Sequence, residues 1–301
     1  MPKCELVGLQ DVFRYAVRLK DFDGGKFTYE EEDVGFKFPL SLECIALYDL
    51  NKTFFQFLLP IAYQLTELNL LHVSHLYRNN YYLLIRMCPN LEILYTHDIF
   101  DDKGMKLIGQ CCKKMRKLNT GSEEIAPNRL TEKRIIALAQ GCLELGSLHI
   151  NVIDITNEAM ECIGAHLKNL CDFHMILLKE DTETILPLDN GVRTMLIGCR
   201  KLEKLSIHLC PGGLTDAGFG YIGKYGHNLR YLSLCCVGEC DAGLVELTKG
   251  CPKLKKLETK GCPFSEQALS TFVFNIYSLR YMWVLGDRDH NAWAMTRPNS
   301  I

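Results

Sequence analysis

Residues 251–273, CPKLKKLETKGCPFSEQALSTFV, place Cys, Leu, Leu and Cys at fixed offsets and then run at once into Ser-Glu and an apolar helical pattern. The same cadence occurs at residues 88–112, CPNLEILYTHDIFDDKGMKLIGQCC. Two such stretches far apart in one chain indicate a repeat. Aligned on a Leu-x-x-Leu core, its first apolar position falls at Leu19, Leu42, Leu65, Leu91, Met115, Leu145, Leu170, Leu202, Leu229, Leu254 and Leu279. The spacings are 23, 23, 26, 24, 30, 25, 32, 27, 25 and 25 residues. Most lie within the 20–29-residue period of leucine-rich repeats. The two longer ones imply inserted loops, GSEEIAPNRLTEK from Gly121 and KEDTETILPLDN from Lys179, both polar and proline-containing.

Each unit has two halves with different periods. In LEKLSIHL, Leu202, Leu205 and Ile207 alternate with Ser206 and His208, as in a strand with one buried face. The second half opens on a capping residue, Thr215 before Asp216 or Ser265 before Glu266, and continues with helical spacing. Cys88, Cys142, Cys199 and Cys251 follow the helices, where a small apolar residue suits the space between stacked turns. The 15 cysteines are spread through a chain large enough to need no disulfide staples. Stacking such units predicts an α/β leucine-rich-repeat solenoid, with parallel strands on the concave face and helices on the convex face. Residues 1–286 read as one solenoid of about ten repeats and 287–301 as a C-terminal tail. At the amino-terminal end, Phe13, Val17 and Leu19 are expected to lack a covering neighbour.

The fourth and sixth residues after each first Leu are the outward members of the alternation. They run Ala46 and Tyr48, Asn69 and Leu71, Tyr95 and His97, His149 and Asn151, His174 and Ile176, then Ser206 and His208, Ser233 and Cys235, Glu258 and Lys260, Trp283 and Leu285. Four of the nine histidines stand in this row beside a tryptophan, which suggests a surface of hydrogen-bonding groups around an aromatic floor. No short ligand spacing marks a metal site, so none is expected. There is no phosphate-cradling glycine loop and no Cys-x-x-Cys pair. Gly212-Gly213 reads as a strand-to-helix turn, and Cys235-Cys236 as a strand pair with one thiol facing inward. These features describe a binding scaffold, not an enzyme. A net charge of −2 gives no reason to expect nucleic acid. With no apolar run of membrane-spanning length and no basic-then-apolar leader, a location in nucleus or cytoplasm is expected.

The stretches LTEKRIIALAQGCLEL, IDITNEAMECIGAHLKNLCDF, LPLDNGVRTMLIGCRKLEKL, GGLTDAGFGYIGKYGHNLRYLSL and VGECDAGLVELTKGCPKLKKLETKGCPFSEQAL carry a more specific likeness. The chain resembles the leucine-rich-repeat region of the coronatine-insensitive jasmonate-receptor family of plants, relatives of the auxin-receptor F-box proteins. The resemblance implies a substrate-recognition subunit of an SCF-type ubiquitin ligase, without catalytic residues of its own; the alternatives are a stand-alone leucine-rich-repeat interaction scaffold with no ligase role, or a non-functional paralogue. In that family, jasmonoyl-isoleucine and an inositol polyphosphate hold a jasmonate-ZIM-domain repressor on the concave face. The F-box that reaches the Skp-type adaptor and cullin is not expected in this chain, because VGLQDVFRYAVRLKDF from Val7 already reads as repeat material.

By the same resemblance, the ligand residues are His97, Asn151, His174, Ile176, His208, Ser233, Lys260 and Trp283. His97, His174 and Lys260 stand where the family has arginine, and Asn151 and His208 where it has tyrosine; the aromatic at Trp283 is kept. The substitution changes the chemistry. Arg is always charged and grips a carboxylate through two parallel hydrogen bonds, whereas His is mostly neutral at pH 7 and offers one donor. Two lost contacts at roughly 1.5–3 kcal/mol each weaken binding on the order of 10²–10⁴-fold.

Overall fold

The computed structural model describes residues 4–24, 27–28, 36–47, 52–71, 73, 78–96, 102–120, 131–178, 187–286 and 293–296. Most of each inserted loop falls outside these, at 121–130 and 179–186. Eleven strands form one open, fully parallel run: β1 Asp21–Asp23, β2 Cys44–Ala46, β3 Glu67–Leu70, β4 Ile93–Thr96, β5 Lys117–Asn119, β6 Ser147–Val152, β7 Asp172–Leu177, β8 Lys204–His208, β9 Tyr231–Cys235, β10 Lys256–Lys260 and β11 Tyr281–Leu285. Each pairs with its neighbour in sequence, as a leucine-rich-repeat solenoid requires. Parallel neighbours need a crossover, and helices such as Asn157–His166, Asp189–Gly198, Asp216–Tyr225 and Glu266–Asn275 supply it. Within the stretch read as a tail, β12, Trp293–Thr296, adds an antiparallel strand to β11. No described helix is long and apolar enough to cross a membrane.

The buried face of the strands follows the leucine pattern. Leu202, Leu205 and Ile207 are buried, as are Leu229, Leu232 and Leu234 one repeat later, against helix residues such as Met195, Phe219, Ile222 and Leu247. Each fully buried aliphatic side chain contributes roughly 1.5–3 kcal/mol, and part of its cover comes from neighbouring repeats. Helices approach closely where glycines face each other. A Cβ on Gly198 would lie 2.0 Å from the Gly164 carbonyl oxygen, and one on Gly250 would lie 1.8 Å from that of Gly223.

The cysteines sit in this spacing as expected and add a directional bond. Cys112, Cys142, Cys199 and Cys251 are buried. Their thiols donate back one repeat, to the carbonyls of Cys88 (3.6 Å), Cys112 (3.5 Å), Leu167 (3.4 Å) and Ile222 (3.5 Å). Most of these carbonyls lie in or just beyond the preceding helix's last turn, where acceptors lack an intrahelical partner. Burial pushes the thiols of Cys142, Cys199 and Cys251 up to about 12, so they stay protonated donors.

A second ladder joins helix starts. Thr156 and Ser265 cap their own helices through Ala159 N and Ala268 N, and Thr215 does so through Ala217 N. The first-turn aspartates Asp189 and Asp241 also reach the next repeat's cap. Asp189 accepts from Thr215 N (3.0 Å) and Oγ1 (2.6 Å), and Asp241 accepts from Ser265 N (2.7 Å) and Oγ (2.6 Å). Gly212, with φ +83°, and the Gly213 N–H on Cys210 O form the expected strand-to-helix turn.

The amino-terminal end departs from expectation. Val17 is exposed, but Phe13 is 4% exposed and Leu19 packs on the core. The reason is an aromatic cluster: Phe13 meets Phe22 edge-on at 5.1 Å and lies 5.9 and 5.8 Å from Phe36 and Phe38. At the opposite end, Phe274, Tyr277 and Tyr281 are exposed.

Candidate ligand face of the concave sheet

Strand pairing turns the outward positions into two lines across the sheet. One runs Ala46, Asn69, Tyr95, Asn119, His149, His174, Ser206, Ser233, Glu258, Trp283, each in register with the next. The other runs Asn151, Ile176, His208, Cys235, Lys260, Leu285. Seven of the eight expected ligand residues therefore share one face. The eighth, His97, lies outside the described residues, as does Tyr48.

Depth differs along the lines. Lys260 and Trp283 are exposed; His174, Ile176, His208 and Ser233 are half-buried; Asn151 is 3% exposed. Asn151 and Ser206 were expected at the surface, but alternation sets only the face, and both lie in the long central strands between fully paired neighbours.

A third outward line, two residues after each first Leu, carries much of the charge and escaped the sequence reading. It includes Lys117, Ser147, Asp172, Lys204, Tyr231 and Lys256 in register. Extending the alternation one step back from the chosen positions would have found it. Two clusters link this line to the ligand lines. In the first, His149 Nε2 lies 3.2 Å from Asp172 Oδ1, Lys204 Nζ lies 3.6 Å from Oδ2, and the His149 and His174 rings are 5.4 Å apart. Burial works to raise the Asp172 carboxyl, but His149 and Lys204 outweigh it and hold it below the ordinary value. Burial, then the charges of His149 and His208, hold His174 below its ordinary 6.5, so it is neutral at pH 7.

In the second cluster, the Tyr231 hydroxyl donates to Glu258 Oε2 (2.6 Å), and Lys256 Nζ lies 2.7 Å from Oε1. Burial, with that hydrogen bond, pushes the Tyr231 phenol up to about 12. Both acidic side chains are thus engaged by neighbours. Among the seven described residues expected at ligand positions, Lys260 is the only lysine or arginine.

A cleft of about 430 Å³ lies where helices run into the next strands, lined by Lys249, Asn275, Tyr277 and others, and it contains none of the expected residues. The expectation of no metal rested on spacing along the chain. Across strands, one described group does bring ligand atoms together: those of His208, Cys235 and Cys236 lie within 4.8 Å of one another.

No family model matches the chain. It is 42% identical over 312 residues to coronatine-insensitive protein 1 of Arabidopsis thaliana, covering 98% of this chain and 52% of that protein. The chain resembles the coronatine-insensitive proteins. Coronatine-insensitive protein homolog 2 of Oryza sativa subsp. japonica is 40% identical, over 98% of this chain and 53% of its own length. GRR1-like protein 1 of Arabidopsis thaliana is 30% identical, over 94% and 50%. The chain spans about half the length of the coronatine-insensitive proteins it matches. Its shape also superposes on Rad7 of a yeast Rad7–Elc1 complex with a TM-score of 0.48 and 15% identity, covering 81% of this chain and 69% of that one.

Proposed function

We propose that the chain is the recognition half of a coronatine-insensitive-type receptor, a non-enzymatic scaffold that presents its concave sheet to a repressor protein in an SCF-type ubiquitin ligase. The observation that carries this reading is the shared face. His174, His208, Lys260 and Trp283, placed by resemblance at ligand positions, lie on two adjacent lines of one sheet. The expected partners are a jasmonate-ZIM-domain repressor and jasmonoyl-isoleucine, in nucleus or cytoplasm.

The chemistry of the face points to weakened anion binding. Neutral His174 supplies one hydrogen bond where a guanidinium supplies two and a full charge. Lys260 is a point charge on a flexible stem. An inositol polyphosphate, which needs several fixed cations, is expected to bind far more weakly here than to arginine-bearing relatives. Contact with the repressor would then rest more on Trp283 and the half-buried apolar Ile176 than on charge. The test is a pull-down from plant extract with and without jasmonoyl-isoleucine, probed for jasmonate-ZIM-domain repressors and Skp-type adaptor. Hormone-dependent or hormone-independent capture of the repressor supports the reading. Capture of neither repressor nor adaptor under both conditions overturns it.

A further inference from the structure

We propose that His208, Cys235 and Cys236 form a three-ligand site for a thiophilic d10 cation, of which Zn²⁺ is the simplest occupant. His208 and Cys235 are register partners at the ends of β8 and β9, so the imidazole and one thiol stand side by side on the concave face. Cys236 follows immediately, and in regular strand its thiol would point to the other face. It does not. Cys236 has φ +56°, and its Sγ lies 3.6 Å from that of Cys235. One ligand atom from each of the three residues falls within a 4.8 Å span.

The left-handed turn at Cys236 is the second observation. The same repeat position one unit later is Gly261, with φ +58°, where the conformation costs a glycine nothing. Both backbones are held alike: Cys236 N donates to Lys260 O (2.8 Å), and Gly261 N donates to Leu285 O (2.9 Å). Here a residue with a Cβ occupies a glycine conformation, and what that residue adds is a sulfur aimed at its neighbour's. A positive φ also occurs at the packing cysteine Cys251 (φ +56°), so it is the paired sulfurs that set Cys236 apart. Unlike the buried repeat cysteines, Cys236 is half-exposed.

Two sulfurs and an imidazole suit zinc, leaving its fourth tetrahedral position for water or a group from a bound protein. On binding, two S–H bonds break, two Zn–S bonds form, and two protons pass to solvent. The site then carries no net charge; burial and the adjacent Cys236 push the unliganded Cys235 thiol up to about 12, against a smaller opposite effect of Lys260, so the metal has to displace that proton. Cys262 is close, but its thiol is directed to the Leu234 and Lys260 carbonyls at 3.5 and 3.6 Å. This inference does not rest on the hormone reading, because the titration contains no hormone.

The test is titration of the full chain with Co²⁺ as spectroscopic probe, followed by displacement with Zn²⁺, under reducing conditions. Wild type should take up one Co²⁺ with thiolate charge-transfer and tetrahedral ligand-field bands. Cys236→Gly restores the residue that the backbone suits and so should fold. It should lose the tetrahedral spectrum and weaken Zn²⁺ binding by more than the roughly 10–100-fold typical of losing an outer-shell partner. His208→Gln should do the same, and Cys262→Ser should leave both unchanged. A wild-type chain that shows no thiolate–Co²⁺ bands, or binds Zn²⁺ no more tightly than Cys236→Gly, would overturn the proposal.

Discussion

On the side of the strands facing the helices, the repeats at 202–207 and 229–234 bury leucine or isoleucine at matching offsets. On the other side, the line from Asn151 passes through Ile176, His208, Cys235 and Lys260 without repeating a residue. The inner side, with its glycine contacts, cysteine thiols and aspartate caps, solves one packing problem many times over. The outer side has no packing problem to solve at Lys260 or Trp283, so residue identity there is free to follow a ligand. Regularity marks what holds the solenoid together, and irregularity marks the positions proposed to meet a ligand.

The comparison breaks most visibly if an inner contact is changed without consequence. Gly198→Ala puts a Cβ 2.0 Å from a backbone oxygen that cannot swing away, and should cost about 3 kcal/mol or more in chemical denaturation. A cost near zero would mean that adjacent helices shift freely. Asp189→Ala removes the acceptor from Thr215 N and Oγ1 and should cost about 1–2 kcal/mol by the same measurement. Asp172 belongs to the outer side and should matter least. Asp172→Asn should cost no more than about 1 kcal/mol at neutral pH, because the carboxylate is partly solvated. Its folded pKa is lowered, so this stabilisation is present above the unfolded value near 3.8 and is lost as pH falls through the folded one. Denaturation midpoints of wild type and variant should therefore converge in acid. A gap that widened on acidification would contradict the assigned charge pairs.

The sequence carried the inner side almost completely, because burial by leucine and capping by Thr215 or Ser265 are local patterns. It also placed the two ligand lines on one face. What it could not show were features fixed by neighbours. Asn151 lies deep in the central strands despite its outward parity. Phe13 is covered by Phe22, Phe36 and Phe38, of which the last two lie more than 20 residues away. Cys236 leaves the strand pattern through a positive φ that a cysteine rarely adopts, and strand register alone brings His208 to it. The line through Asp172 and Tyr231 differs in kind: its parity was legible and went unused.

Binding of jasmonoyl-isoleucine tests the division between the two sides most directly, by calorimetric titration at pH 7.5 of the wild-type chain and of a His97→Arg/His174→Arg double variant. His174 lies on the outer face, away from the inner ladders, so its substitution should change thermal unfolding little. The wild type should bind weakly, and the double variant should gain on the order of 10²–10⁴-fold from restored charge-assisted contacts. Tight binding by the wild type, or a double variant that gains nothing, would contradict the assignment of these lines as the ligand face.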